Sequence, residues 1–166
     1  MAVRAEVKSS GADGFLIVHS RRVDAAPSKV YAAIPAIGRW WSSDHTYSGD
    51  AANMSLKAEA GSCFCERWAD GEVEHGRTLM VIRDRVFRLQ ASLGPLQSRA
   101  VNGVLSFELK PAEGSGGNAT LLTLTYVVNG ASGSVLDKSA PGVDGVLREQ
   151  FDRLVRYIET GKPASP

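Results

Sequence analysis

Gly142-Val-Asp-Gly-Val-Leu-Arg-Glu-Gln-Phe-Asp-Arg-Leu-Val-Arg-Tyr-Ile-Glu-Thr160 decides the fold. Val143, Val146, Leu147, Phe151, Leu154, Val155 and Ile158 fall on one stripe at the helical period. Arg148, Glu149, Asp152, Arg153, Arg156 and Glu159 occupy the other face, and Gly161 and Pro163 supply the stop. At a rise of about 1.5 Å per residue, this segment makes a rod of roughly 28 Å, long enough to lie across a whole sheet.

Upstream, residues 53–129 follow a different rhythm of short apolar runs and turn punctuation. Asn53–Ala58, Ser62–Trp68, His75–Ile82, Val86–Leu93, Val101–Leu109 and Thr120–Val128 are the expected strands. Asp70-Gly71 is the strongest hairpin signal, because glycine tolerates the positive φ that tight turns require. Phe87, Leu89, Ala91 and Leu93 alternate with polar neighbours, as do Leu122, Leu124, Tyr126 and Val128. That pattern buries one face of an antiparallel meander and leaves the other in water. Phe15–Val23 is the expected first strand, Pro27 opens a short helix through Ile34, and Ile37–Trp41 forms a second. The reading is α+β: six or seven antiparallel strands, two short helices after the first strand, and one long terminal helix. Residues 14–160 form a single domain, with 1–13 and 161–166 as mobile tails.

A chain of 166 residues with 43% hydrophobic and 22% charged residues can build a core without disulfide or metal support. The net charge of +1 removes the electrostatic argument for nucleic acid. Without an apolar run of the length a bilayer needs, no integral membrane association is expected. The chain is expected to be cytoplasmic, or exported with its leader removed. Cys63 and Cys65 lack the partner spacing of a zinc site, and the three histidines are scattered, so neither a metal nor a cofactor is expected. The cysteines read first as two small side chains on one strand face, with a disulfide or thiol sensor as the alternative.

Several segments carry a family resemblance over about residues 14–160. Val23-Asp-Ala-Ala-Pro-Ser-Lys-Val30-Tyr31-Ala-Ala-Ile34, Ile37-Gly-Arg-Trp40-Trp41, the pair Gly76–Ile82 with Val86–Leu89, and the terminal helix occur in the order of the helix-grip fold. The chain thus resembles the SRPBCC, or START-like, superfamily of birch-pollen-allergen-like proteins and polyketide cyclases. It is most similar to the branch containing the activator of heat-shock-chaperone ATPase. Gly142-Val-Asp144 stands where that branch often carries a tryptophan. The resemblance implies a curved sheet around the long helix, with a cavity between them.

In that frame the leading expectation is binding of a small, mostly apolar molecule such as a lipid or polyketide. Trp41, Glu66, Trp68, Phe107 and Tyr126 would line the cavity, with His45 and Tyr47 at its mouth. Strand alternation sets Phe64, Glu66 and Trp68 on one face; if it points inward, desolvation would raise the Glu66 pKa toward acid/base range. His75 reads as a solvated turn histidine or, alternatively, as a proton shuttle with Glu66. His19 reads as a core or rim histidine. Two other functions stay open: a cyclase, dehydratase or hydrolase using Glu66 with His75 or Tyr126, and an accessory protein that stimulates a chaperone ATPase by surface contact.

Overall fold

The alternating segments become strands of one antiparallel sheet in the computed structural model, which describes residues 4–163. The strands are β1 (Arg4–Gly11), β2 (Gly14–Val23), β3 (Met54–Ser55), β4 (Cys63–Trp68), β5 (Gly71–Ile82), β6 (Val86–Ala91), β7 (Val101–Pro111) and β8 (Thr120–Gly130). Their order across the sheet is β1-β2-β8-β7-β6-β5-β4-β3. Six strands thus form a meander, and the β1–β2 hairpin docks on its last member. Helix α1 (Pro27–Ala33) and three single-turn 3-10 segments carry the chain from β2 to the far edge at β3. Helix α2 (Ala140–Thr160) packs on β2 and β1, giving the helix-grip arrangement.

The sheet has eight strands where the sequence reading expects six or seven. The additional one is β1, within the segment expected to be a tail: Arg4 pairs with Ser20 and Gly11 with Gly14. An edge strand has only one neighbour, and here its register shifts between Val7 and Ser9, so the apolar alternation that marks the inner strands is weak. Of the expected tail residues, 1–3 and 164–166 lie outside the described residues. The second expected helix is only the 3-10 turn Ile37–Arg39, because Pro35 stops α1 and leaves too few residues for a full one. Among the described residues no helix is long and apolar enough to cross a membrane.

The core lies between the sheet and the helices. Phe15, Ile17, Phe87, Leu89, Leu105, Phe107, Leu122, Leu124 and Tyr126 from the strands meet Leu147, Phe151, Leu154, Val155 and Ile158 of α2. Polar contacts then fix the helix in place. His19 Nε2 lies 3.1 Å from Asp144 Oδ1, and Arg21 Nη2 lies 2.5 Å from Asp152 Oδ1, both joining β2 to α2. Gln150 accepts a 2.8 Å hydrogen bond from the Ser42 amide, and Arg153 donates one of 2.8 Å to the Trp40 carbonyl. Position 161 closes α2 with a glycine at φ 79°, a conformation other residues adopt at a cost.

Candidate functional site

The chemistry collects at one end of the grip, where β4 and β5 meet residues 42–53. In the β4–β5 ladder Phe64 pairs with Gly76, but Cys65 pairs with Glu74, so His75 is the extra residue of a bulge. A bulge re-aims the side chain it carries. His75 turns inward, and its Nε2 stands 3.0 Å from Glu66 Oε2. Both side chains are buried, at 6% and 0% exposure. The expectation of a solvated turn histidine is therefore replaced by its alternative geometry: a histidine beside Glu66.

Glu66 holds more than His75. Its Oε2 accepts a 3.1 Å hydrogen bond from the Tyr47 amide, and its Oε1 accepts one of 2.5 Å from the Ser48 amide. Burial pushes this carboxyl up, as expected for an inward glutamate, but hydrogen bonds from Ser48, Tyr47 and His75 outweigh it and leave the group below its ordinary value. The raised Glu66 of the sequence reading is thus corrected. For His75 burial is the main influence and lowers its pKa, while Glu66 only partly opposes this. At neutral pH the pair is a carboxylate accepting from a neutral imidazole. A carboxylate whose acceptors are taken by the chain's own donors is a hydrogen-bonding anchor before it is an acid or base.

Above the pair lies Tyr47. Its ring is 5.9 Å from that of His75, and His75 is in turn 4.9 Å from Phe64. Tyr47 is 52% exposed, yet its hydroxyl donates a 3.2 Å hydrogen bond to the Gly94 carbonyl. Tyr47 therefore bridges two loops, 42–53 and 92–100. Leu96, in the second loop, is 1% exposed and belongs to the core.

The other expected lining residues divide. Trp41, Phe107 and Tyr126 are buried in the core. Trp41 donates a 3.0 Å hydrogen bond to the His45 carbonyl and meets Phe64 edge-on with ring centres 6.2 Å apart. The Tyr126 hydroxyl donates to Ala91 O at 2.9 Å and accepts from Leu93 N at 3.2 Å. Burial pushes it up to about 12. Trp68 has the expected strand parity but not the expected depth. It is half-buried at the β4–β5 hairpin, with its indole over Gly71, where a Cβ would come within 2.6 Å of the ring. His45 stands away from Glu66, 3.0 Å from Glu149 on α2. Two cavities of about 700 and 430 Å³ open on the outer surface, and neither is lined by an expected ligand-contacting residue.

Sequence reasoning missed Asp144, buried at 7% on α2 beneath His19, and the amides of Tyr47 and Ser48 as partners of Glu66. Asp144 sits on the helix face read as apolar, and backbone donors leave no signal in residue types. One signal was present for His75: Glu72 and Glu74 alternate with Val73 and His75, which is a strand with a charged outer face.

No family model matches the chain, and no curated protein matches it. Solved structures do. Protein MLL2253 from Mesorhizobium loti superposes with a TM-score of 0.61 at 19% identity, covering 85% of this chain and 94% of that one. CalU16 from Micromonospora echinospora gives 0.61 at 17% identity, over 99% of this chain and 85% of that one. A conserved protein of unknown function, EF2215 from Enterococcus faecalis, gives 0.57 at 14% identity, over 99% and 80%. At such identities the likeness shows the fold: an antiparallel sheet closed on a C-terminal helix.

Proposed function

We infer that this is a helix-grip binding protein of the SRPBCC kind, which takes a small, mostly apolar molecule between its sheet and α2 after residues 42–53 and 92–100 part. The observation that carries the reading is Tyr47: a half-exposed side chain, held to the second loop by its hydroxyl, lying over a buried carboxylate–imidazole pair. Buried ionisable pairs concentrate at functional sites. Beneath them, Phe64 and Trp41 supply the apolar wall, and Glu66 or His75 would orient one polar end of a guest. On this reading residues 42–53 and 92–100 close the grip, and binding requires displacement of Tyr47 and Leu96. The acid/base alternative has less support, because Glu66 is lowered in pKa and already hydrogen-bonded by its own chain.

A protein-contact reading has one observation of its own. Leu79, Met80 and Ile82 are 47%, 39% and 42% exposed on the part of β5 that runs beyond β4. One experiment separates the two. Fluorescence titration with 1-anilinonaphthalene-8-sulfonate should give saturable one-site binding, tightened in Tyr47→Ala as the mouth loosens. If neither the wild type nor the variant binds the dye while both remain folded, the grip is a filled core and the β5 surface becomes the better reading.

A further inference from the structure

The geometry points to a second site, independent of the grip: the Cys63–Cys65 disulfide as a reversible exchange site for a small peptide- or amino-acid-type thiol. The two residues flank Phe64, beside the register shift of β4 against β5. In a regular strand two residues advance about 6.4–6.8 Å. Here the two Cα atoms are 5.4 Å apart, within the span a disulfide bridges. The bond closes so short a loop that it contributes little to holding distant parts of the chain together, and the constraint it adds is local to β4.

Access and surroundings supply the second argument. Cys65 is 4% exposed, whereas Cys63 is half-buried and lines the outer cavity of about 430 Å³. Lys57, Glu59 and Arg67 line the same cavity, with Ser55, Ser62 and Gly61. Nearby, Arg67 pairs with Glu72 at 3.1 Å and Arg77 with Glu74 at 2.7 Å. With Glu72 on Arg67 and Glu74 on Arg77, cations and carboxylates are mixed around the sulfur, which suits a thiol that itself carries both carboxylates and an amine. The volume falls in the range of small-molecule sites.

The chemistry balances with two equivalents of such a thiol. Its thiolate attacks Cys63 Sγ, the S–S bond breaks, and Cys65 leaves with the electron pair and takes up a proton. A second thiolate attacks the thiol's own sulfur in the mixed disulfide, forming the oxidised thiol and releasing Cys63, which also takes up a proton. Two electrons pass from the two thiols to the protein. Cys63 is the sulfur attacked because Cys65 is shielded.

The test compares reduced glutathione with 2-mercaptoethanol at equal thiolate concentration on the full chain, counting freed cysteines by alkylation and mass spectrometry. Glutathione should reduce the wild type about five-fold faster, and Lys57→Ala with Arg67→Ala should bring the ratio to within about two-fold of unity. Oxidised glutathione should modify Cys63 in Cys65→Ser faster than Cys65 in Cys63→Ser. A wild-type ratio near one, a ratio that survives loss of both cations, or faster modification of Cys65 would overturn the proposal. So would a disulfide that resists millimolar glutathione for hours. If the single-cysteine variants do not fold, the wild-type ratio and its loss in the lysine–arginine variant still decide. None of these outcomes depends on dye binding in the grip.

Discussion

Replacing Glu66 by Gln removes one charge and almost no volume, so it tests what the carboxylate does. Oε1 and Oε2 together accept three hydrogen bonds: from Ser48 N at 2.5 Å, Tyr47 N at 3.1 Å and His75 Nε2 at 3.0 Å. A glutamine carbonyl can keep the Ser48 bond. Its NH₂ group then faces the Tyr47 amide, a donor opposed to a donor, and a buried unsatisfied group costs about 1–3 kcal/mol. Weakening the remaining bonds from charge-assisted to neutral adds about 1 kcal/mol, and relief from burying a charge offsets part of the sum. The net expectation is a loss of about 2 kcal/mol, or a fall in Tm of about 4–8 °C for a domain of this size. Differential scanning calorimetry measures the first quantity. Hydrogen exchange at the Tyr47 and Ser48 amides measures its location, and both should lose protection before the core strands do. A Tm within about 2 °C of wild type, or a higher one, together with unchanged exchange at those amides, would refute the idea that Glu66 anchors this loop.

Other expectations concern different parts of the molecule. His75 and Glu66 both have folded pKa values below their unfolded ones of 6.5 and 4.5, so the unfolded chain binds more protons in acid. Their contribution to stability is complete above pH 6.5 and declines first through His75, then through Glu66; urea midpoints from pH 8 to 4 should show it, and His75→Gln should flatten the upper part. A midpoint that holds steady from pH 7 to 5 would contradict this. Tyr126→Phe strands the Leu93 amide and the Ala91 carbonyl and should cost about 1–3 kcal/mol in urea unfolding, while ultraviolet titration of the wild type should show one tyrosine ionising only near 12. Two glycine-to-alanine changes should have opposite signs. At Gly103 a Cβ would lie 2.1 Å from Ala91 O and destabilise by about 1–3 kcal/mol, whereas Gly145 of α2 has open space around it and Ala there should stabilise by about 0.5–1 kcal/mol. Equal effects at the two positions would show that the packing at Gly103 has been misread.

How much was legible depended on whether a residue's role lay in its own side-chain pattern. Leu122, Leu124, Tyr126 and Val128 are all buried, as their alternation required, and α2 spans the predicted helix with two further residues at its start. Strand parity groups Glu66 with Phe64 on one face but leaves open whether that face is the inner one; both are fully buried. The Glu72–Val73–Glu74–His75 alternation names the inner face for His75, but the bulge that gives β5 one residue more than β4, and so sets this histidine against Glu66, leaves no mark in residue types. Trp68 shows the complementary limit: parity names a face but not how far along the strand the core extends. Nor could composition choose between paired thiols and a disulfide at Cys63 and Cys65, since that choice turns on a Cα separation which only the local backbone sets.

The order β1-β2-β8 also has a consequence for how the chain is made. Phe15 pairs with Val128 and Arg22 with Leu121, so β2 gains its inner neighbour only after most of the chain has left the ribosome. At about 5–20 residues per second, the N-terminal hairpin waits roughly 5–20 s for that partner. A lone two-stranded hairpin is marginal in water, and this one carries Phe15 and Ile17, which are both buried once folding is done. During that interval the nascent protein exposes an apolar strand edge near its beginning. The sheet is therefore completed only when β8 emerges, shortly before α2, and the β1–β2 hairpin is until then the segment most open to holding by a chaperone or to mispairing with another chain.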